Sequence, residues 1–161
     1  KGIYIGNFFN WDPNIHAHEM KKKYGFEFAE KPFERTYRSM SNLDDMHENG
    51  IHDYMKYIKF GYGRATDHAS KDIRSGYMTR REGIKMVKKY DHIKPKNDLS
   101  RWLKYVDLSE NEFDKIADTF RDPRIWWIEN NKWWKNNVWG ESSPYENVKL
   151  DKSLHSKYLI K

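Results

Sequence analysis

The sequence predicts a mainly α protein: a compact multi-helix domain with a short N-terminal strand and a C-terminal Trp-rich β-hairpin. Three observations lead there. Apolar residues recur at three- and four-residue spacing in several separate segments, as in helices that bury one face. Thr79 with Glu82, and Ser109 with Glu112, are reciprocal caps that mark helix starts. Beyond Pro123, paired tryptophans flank Glu129-Asn130-Asn131, which reads as two strands and a turn. The chain divides accordingly into residues 1–12, a strand and lead-in; 13–122, a helical domain; and 123–161, a hairpin and tail packed on that domain.

The elements follow in order. Gly2-Ile3-Tyr4-Ile5-Gly6 reads as the strand. Asp12-Pro13 is an N-cap followed by proline at the first helical position, opening a helix over 13–24 that ends at Gly25. Residues 26–41 are irregular, with a short extended piece at Arg35-Thr36-Tyr37. Asn49-Gly50 breaks the chain. Ile51, Tyr54, Met55 and Ile58 then mark the buried face of a helix over 51–60. Another helix is expected over 65–75, closed by Ser75-Gly76. The Thr79 cap opens a helix over 80–90, and Lys94–Asn97 is a loop. Leu99, Trp102, Leu103 and Val106 place a helix over 98–106. Asp107-Leu108 turns tightly into a helix over 109–120 with Phe113, Ile116, Ala117 and Phe120 on its core face. The hairpin covers 125–135. Its tryptophans serve either as a small core over the helices, the favoured reading, or as a sugar-stacking or interface surface. Residues 141–161 give weak signals and read as partly loose.

Composition narrows the function classes. Of 161 residues 37% are hydrophobic and 34% charged, but 7 Trp, 11 Tyr and 8 Phe supply enough buried area for one domain's core. No apolar run reaches membrane-span length, and no signal-peptide core follows Lys1. The absence of cysteine excludes disulfides and thiolate metal sites, and suits a cytoplasmic protein. A net charge of +6 admits acidic ligands such as phosphate or nucleotide. The 30 basic residues are nonetheless interleaved with 24 acidic ones, and the longest basic run is Lys21–Lys23. That pattern suits a solvated surface.

The segment from Gly61 to Arg74 is the most informative. It gathers Arg64, Asp67, His68, Lys71, Asp72 and Arg74 just after Gly61 and Gly63. On a helix, Tyr62, Ala65, Ala69 and Ile73 form one stripe, and the two alanines allow close packing against a neighbour. Asp67, Lys71 and Arg74 then share one side, with His68 and Asp72 on the adjacent one. A glycine-bounded loop entering a helix can present N–H groups to an anion. The plainer reading is a surface helix with i,i+4 pairs Asp67–Lys71 and His68–Asp72.

Other chemistries find little support. His16 and His18 do not share a helical face, and His47 and His52 flank the Asn49-Gly50 break. His-Glu-x-x-His is absent, so no metal site is expected. Ser70 has no nucleophile elbow, and no Walker A sequence occurs. A helix-turn-helix drawn over 98–120 has an acidic second helix (Glu110, Glu112, Asp114, Asp118), which opposes contact with nucleic acid.

The stretches Asn7–Asp12, Asn49–Tyr54, Lys59–Arg74, Met78–Gly83 and Lys88–Asp91 resemble the C-terminal half of the bacterial N-acetyl sugar amidotransferases. These belong to the PP-loop ATP pyrophosphatase superfamily and act in lipopolysaccharide and surface-glycan synthesis. The resemblance implies an ATP- and Mg2+-dependent enzyme that converts a sugar acetamido group to acetamidino. Its ammonia would come from a partner glutaminase, and its substrate would be a nucleotide-linked N-acetyl sugar. It assigns catalysis to His68, Asp67 and Asp72, and substrate or phosphate binding to Arg64, Lys71, Arg74, Gly61 and Gly63. Asp72 would orient His68 or pair with Arg64. The PP-loop sequence Ser-Gly-Gly-x-Asp-Ser occurs nowhere in the chain. It is expected in a missing N-terminal domain, leaving this chain inactive alone and without bound cofactor. Two further readings stand beside this one: a non-catalytic helical module that binds a partner subunit, and a basic nucleic-acid module. No nucleic acid and no membrane span are expected; a homo-oligomer stays open.

Overall fold

In a computed structural model that describes residues 2–40 and 49–159, six α-helices precede a small antiparallel sheet. The helices are α1 (Pro13–Tyr24), α2 (Asn49–Phe60), α3 (Arg64–Arg74), α4 (Arg80–Tyr90), α5 (Lys96–Val106) and α6 (Glu110–Thr119). The strands are β1 (Trp126–Glu129), β2 (Lys132–Asn136) and β3 (Ser142–Asn147), in the order β1-β2-β3. The protein is mainly α, as the sequence predicts. Both reciprocal caps form, at Thr79/Glu82 and Ser109/Glu112. Asp12 caps α1 through the N–H groups of Asn14 and Ile15, and Gly25 ends it in the left-handed conformation.

The N-terminal strand is not formed. Ile5–Asn7 makes one 3₁₀ turn, and residues 2–10 are exposed. A lone strand leaves its backbone groups unpaired, and no neighbouring strand meets it among the described residues. Asn49 and Gly50 do not break the chain either; they are the first described residues of α2, and both are buried. The Asp98 carboxylate accepts the Gly50 N–H at 3.0 Å, and a Cβ on Gly50 would fall 2.2 Å from that oxygen. Glycine there makes room for a cap contributed by α5. Arg35–Tyr37 is a turn, closed by the Thr36 N–H donating to Phe33 O at 3.2 Å, rather than an extended piece. The turn drives the Arg35 guanidinium inward, where it donates to the carbonyls of Asp91 and Ile93. Helix α5 starts at Lys96, inside the expected loop, because Glu34 accepts the N–H groups of Lys96 and Asn97, each at 3.2 Å.

The hairpin forms with Asn130 and Asn131 both at positive φ, the backbone of a two-residue turn that matches strand twist. Trp126 and Trp133 are fully buried against α2 and α6, with Tyr54, Tyr57, Ile58, Phe113 and Ala117. The Trp126 indole N–H donates to Ile58 O at 2.8 Å. The tryptophans of the inner face are thus core. Trp127 and Trp134 stack on the other face. On α6, Ile116 and Phe120 remain about half exposed. The tail is more ordered than its composition suggests. Ser142–Asn147 adds β3 to β2, and Lys152–Tyr158 is a 3₁₀ helix that buries Tyr158 beside Trp133. His47 lies outside the described residues.

Candidate functional site

Helix α3 is fixed on a packed support. Ala65 and Ala69 are buried, and α4 approaches so closely at Gly83 that a Cβ there would fall 2.8 Å from Ile73 Cδ1 and 3.4 Å from Ala69 Cβ. The N-terminus of α3 is already occupied by a protein carboxylate. Asp91, at the end of α4, accepts the N–H groups of Gly63 at 2.9 Å and Thr66 at 3.1 Å, and the Thr66 hydroxyl at 2.5 Å. The Gly61 N–H donates to Tyr57 O at 2.8 Å. Neither glycine therefore offers its N–H to an external anion. Their small size serves packing: added Cβ atoms would meet Ile125 Cγ2 at 2.6 Å from Gly61, and Asp91 Oδ1 at 2.9 Å from Gly63.

The charged residues of α3 divide into two groups. Arg64, Asp67 and Asp72 are tied into the scaffold. Arg64 forks onto Asp53 of α2, with Nε at 2.9 Å and Nη2 at 2.7 Å from Oδ1. Asp67 pairs with Lys56 of α2 and lies 4.0 Å from Arg64. Asp72 is buried and accepts three donors: Asn14 Nδ2 of α1 at 3.1 Å, the Tyr37 hydroxyl, and Arg38 Nη2. It contacts neither His68 nor Arg64 in this way, and the pairs Asp67–Lys71 and His68–Asp72 are not among the described contacts.

His68, Lys71 and Arg74 face a groove between α3 and α1, of about 570 Å3, together with Trp11, His16, Met20, Phe26 and Arg38. That volume suits a small-molecule ligand. One wall is aromatic and apolar, the other cationic. Lys71 and Arg74 are exposed and make no ion pair among the described residues, whereas Arg38 is neutralised by Asp72. His68 Nδ1 lies 2.7 Å from Thr36 Oγ1. Burial, reinforced by Arg38, Arg64, Lys71 and Lys56, pushes its pKa down to about 3. The ring is therefore neutral at physiological pH and a weak base, suited to hydrogen bonding more than to taking up a proton. The buried Nδ1 of His16 in the same groove has no partner among the described residues.

The α1 wall was not legible as a site in the sequence. Trp11, His16 and Phe26 stand far from His68 in sequence, and only the Asp12-Pro13 helix start hinted that they share a support. Among the described residues no three His, Asp or Glu side chains gather to hold a metal ion, and no helix is long and apolar enough to cross a membrane.

The family model described as LPS biosynthesis protein WbpG-like, C-terminal domain, matches residues 22–138. No curated protein matches the chain. The matched span runs from the end of α1 past β2 and contains all of α3; Trp11, Pro13 and His16 of the groove lie before it.

Proposed function

The chain belongs to the WbpG-like LPS biosynthesis proteins, as their C-terminal domain, and from that membership we propose that it serves an ATP-dependent amidotransferase acting on a nucleotide-linked N-acetyl sugar. The observation that carries the reading is the α1–α3 groove. Its exposed Lys71 and Arg74 suit the diphosphate of a sugar nucleotide, and Trp11 and Phe26 suit the faces of its rings. His68, held by Thr36, would hydrogen-bond the sugar or its acetamido group. Arg64, Asp67 and Asp72 would keep α3 in place beneath them.

In the reaction, the acetamido oxygen attacks the α-phosphorus of ATP and pyrophosphate leaves. Ammonia adds to the resulting imidate carbon, and AMP departs with the oxygen, leaving the acetamidino group. The chain carries no Ser-Gly-Gly-x-Asp-Ser sequence. Within this reading, other residues of the full protein or a partner cradle ATP and Mg2+, a glutaminase supplies the ammonia, and the reaction takes place in the cytoplasm. A second reading, a module that docks on a partner subunit, draws support from the lead-in, where Ile3, Tyr4, Phe8, Phe9 and Trp11 are each at least 70% exposed.

The test is an incubation of the full-length protein with ATP, ammonium and a nucleotide-linked N-acetyl sugar. The expected result is sugar-dependent formation of AMP and pyrophosphate, with a product in which NH replaces oxygen. Absence of AMP formation across a panel of such sugars, with ammonia supplied, would refute the activity. The chain alone is expected to be inactive in the same assay.

A further inference from the structure

Strand β2 places Trp133 and Lys135 on its core-facing side, as the two buried positions of the strand. Alternation calls for an apolar residue at the second of these. A lysine is there instead, 4% exposed, with its ammonium 5.3 Å from the ring centre of Tyr145, 5.8 Å from Tyr57 and 6.0 Å from Trp126. A buried charge is costly unless paired. No carboxylate pairs with this one among the described residues. Its Nζ donates to Asn137 Oδ1 at 2.9 Å and Asn136 O at 3.2 Å. An ammonium has three N–H groups, so one is left.

Lys135 lines a cleft of about 650 Å3 between the α2–α3 corner, the end of α4 and the β2–β3 edge. Tyr57, also lining it, is 1% exposed, and its hydroxyl, beside that of Tyr145, has no partner at hydrogen-bonding geometry among the described residues. The acids around the cleft are engaged elsewhere. Asp91 caps α3, Glu141 accepts the Trp139 indole N–H at 3.0 Å, and Glu146 receives Arg121 at 3.4 Å. Lys88 adds a cation at the rim, 4.7 Å from the centre of the Trp139 ring. A buried ammonium with one N–H left over and no carboxylate in contact among the described residues, a buried hydroxyl whose polar neighbour is another tyrosine hydroxyl, and aromatic walls meet in one cavity large enough for a small metabolite.

We propose that this cleft, separate from the α1–α3 groove, is a second ligand site for a small ring-bearing organic anion, whose carboxylate or phosphate oxygen is held by Lys135 Nζ and Tyr57 Oη. Burial pushes the Lys135 ammonium down to about 8, with Asp91 opposing the shift. An arriving oxyanion would place a negative charge in contact with the ammonium, which Asp91 influences only from a distance.

The test uses the full-length protein and two probes, benzoate for a carboxylate and phenyl phosphate for a phosphate, titrated by calorimetry. At least one is expected to bind saturably; which one binds identifies the oxyanion. Lys135→Met, which keeps the apolar stem, should weaken it at least tenfold, and Tyr57→Phe about threefold. The double variant Lys71→Ala/Arg74→Ala in the groove should leave this binding unchanged, which separates the two sites. Tyr57→Phe removes only a hydroxyl that makes no hydrogen bond of good geometry among the described residues, so it folds even if Lys135→Met does not. If neither probe binds, or if Tyr57→Phe and every folded Lys135 variant bind as the wild type does, the proposal is wrong.

Discussion

Replacing Asp72 with alanine separates a structural role for this carboxylate from a chemical one. Its side chain is 8% exposed, and that of its partner Arg38 is 9% exposed. Removal strands the Arg38 guanidinium in a poorly hydrated position and leaves the Tyr37 hydroxyl and the Asn14 amide without their acceptor. Breaking a buried ion pair from one side costs about 3–5 kcal/mol. For a chain of this size each kcal/mol shifts the melting midpoint by about 2–4 °C, so a fall of roughly 6–20 °C follows. Because Asn14 sits on α1 and Asp72 on α3, the loss also frees one wall of the groove from the other. Lys71→Ala, at an exposed site with no ion pair among the described residues, is the control and should stay within about 0.5 kcal/mol of wild type. Scanning calorimetry of the full-length protein reads both. A melting midpoint for Asp72→Ala within a degree or two of wild type, with activity abolished, would refute this reasoning and return Asp72 to the chemistry.

Three other outcomes are expected. Gly50→Ala should destabilise by about 1–3 kcal/mol in denaturant titration, since overpacking at Asp98 and the lost cap outweigh the gain in helix propensity. His68 binds its proton about pH 3 when folded and near 6.5 when unfolded. Between those values the unfolded state holds more protons, so stability is full above pH 6.5 and falls as pH drops, by at most about 1.4 kcal/mol per unit. His68→Gln should flatten that slope in acid denaturation curves. Lys135 titrates about pH 8 when folded and near 10.5 when unfolded, so its contribution to stability rises with pH across that window, and Lys135→Met should remove the rise.

What the sequence revealed and what it hid divide along physical lines. Features set by neighbours in the chain were legible: the two reciprocal caps, the Asp12-Pro13 start, the apolar faces of α2 and α5, and the Asn-Asn hairpin. Features set by distant residues were not. The N-termini of α2, α3 and α5 are held by Asp98, Asp91 and Glu34, each far along the chain. No local pattern announces such caps, so Asn49-Gly50 looked like a break and Gly61–Gly63 like an anion cradle. Strand β3, with Ser, Pro, Glu and Asn, owes its form to the β2 edge beside it. The Gly61–Arg74 segment stood out correctly as dense in charge, yet density alone could not sort it. Tertiary partners on α1 and α2, and the turn at Arg35–Arg38, decide that Asp72 and Arg64 are held while Lys71 and Arg74 are open to a ligand.

The groove is the centre of this account, and titration of a nucleoside-diphosphate N-acetyl sugar into the full-length protein tests it most directly. Saturable binding is expected, weakened at least tenfold by Lys71→Ala/Arg74→Ala with the melting midpoint unmoved, and weakened further as salt is raised. Equal affinity for the wild type and the double variant would contradict it.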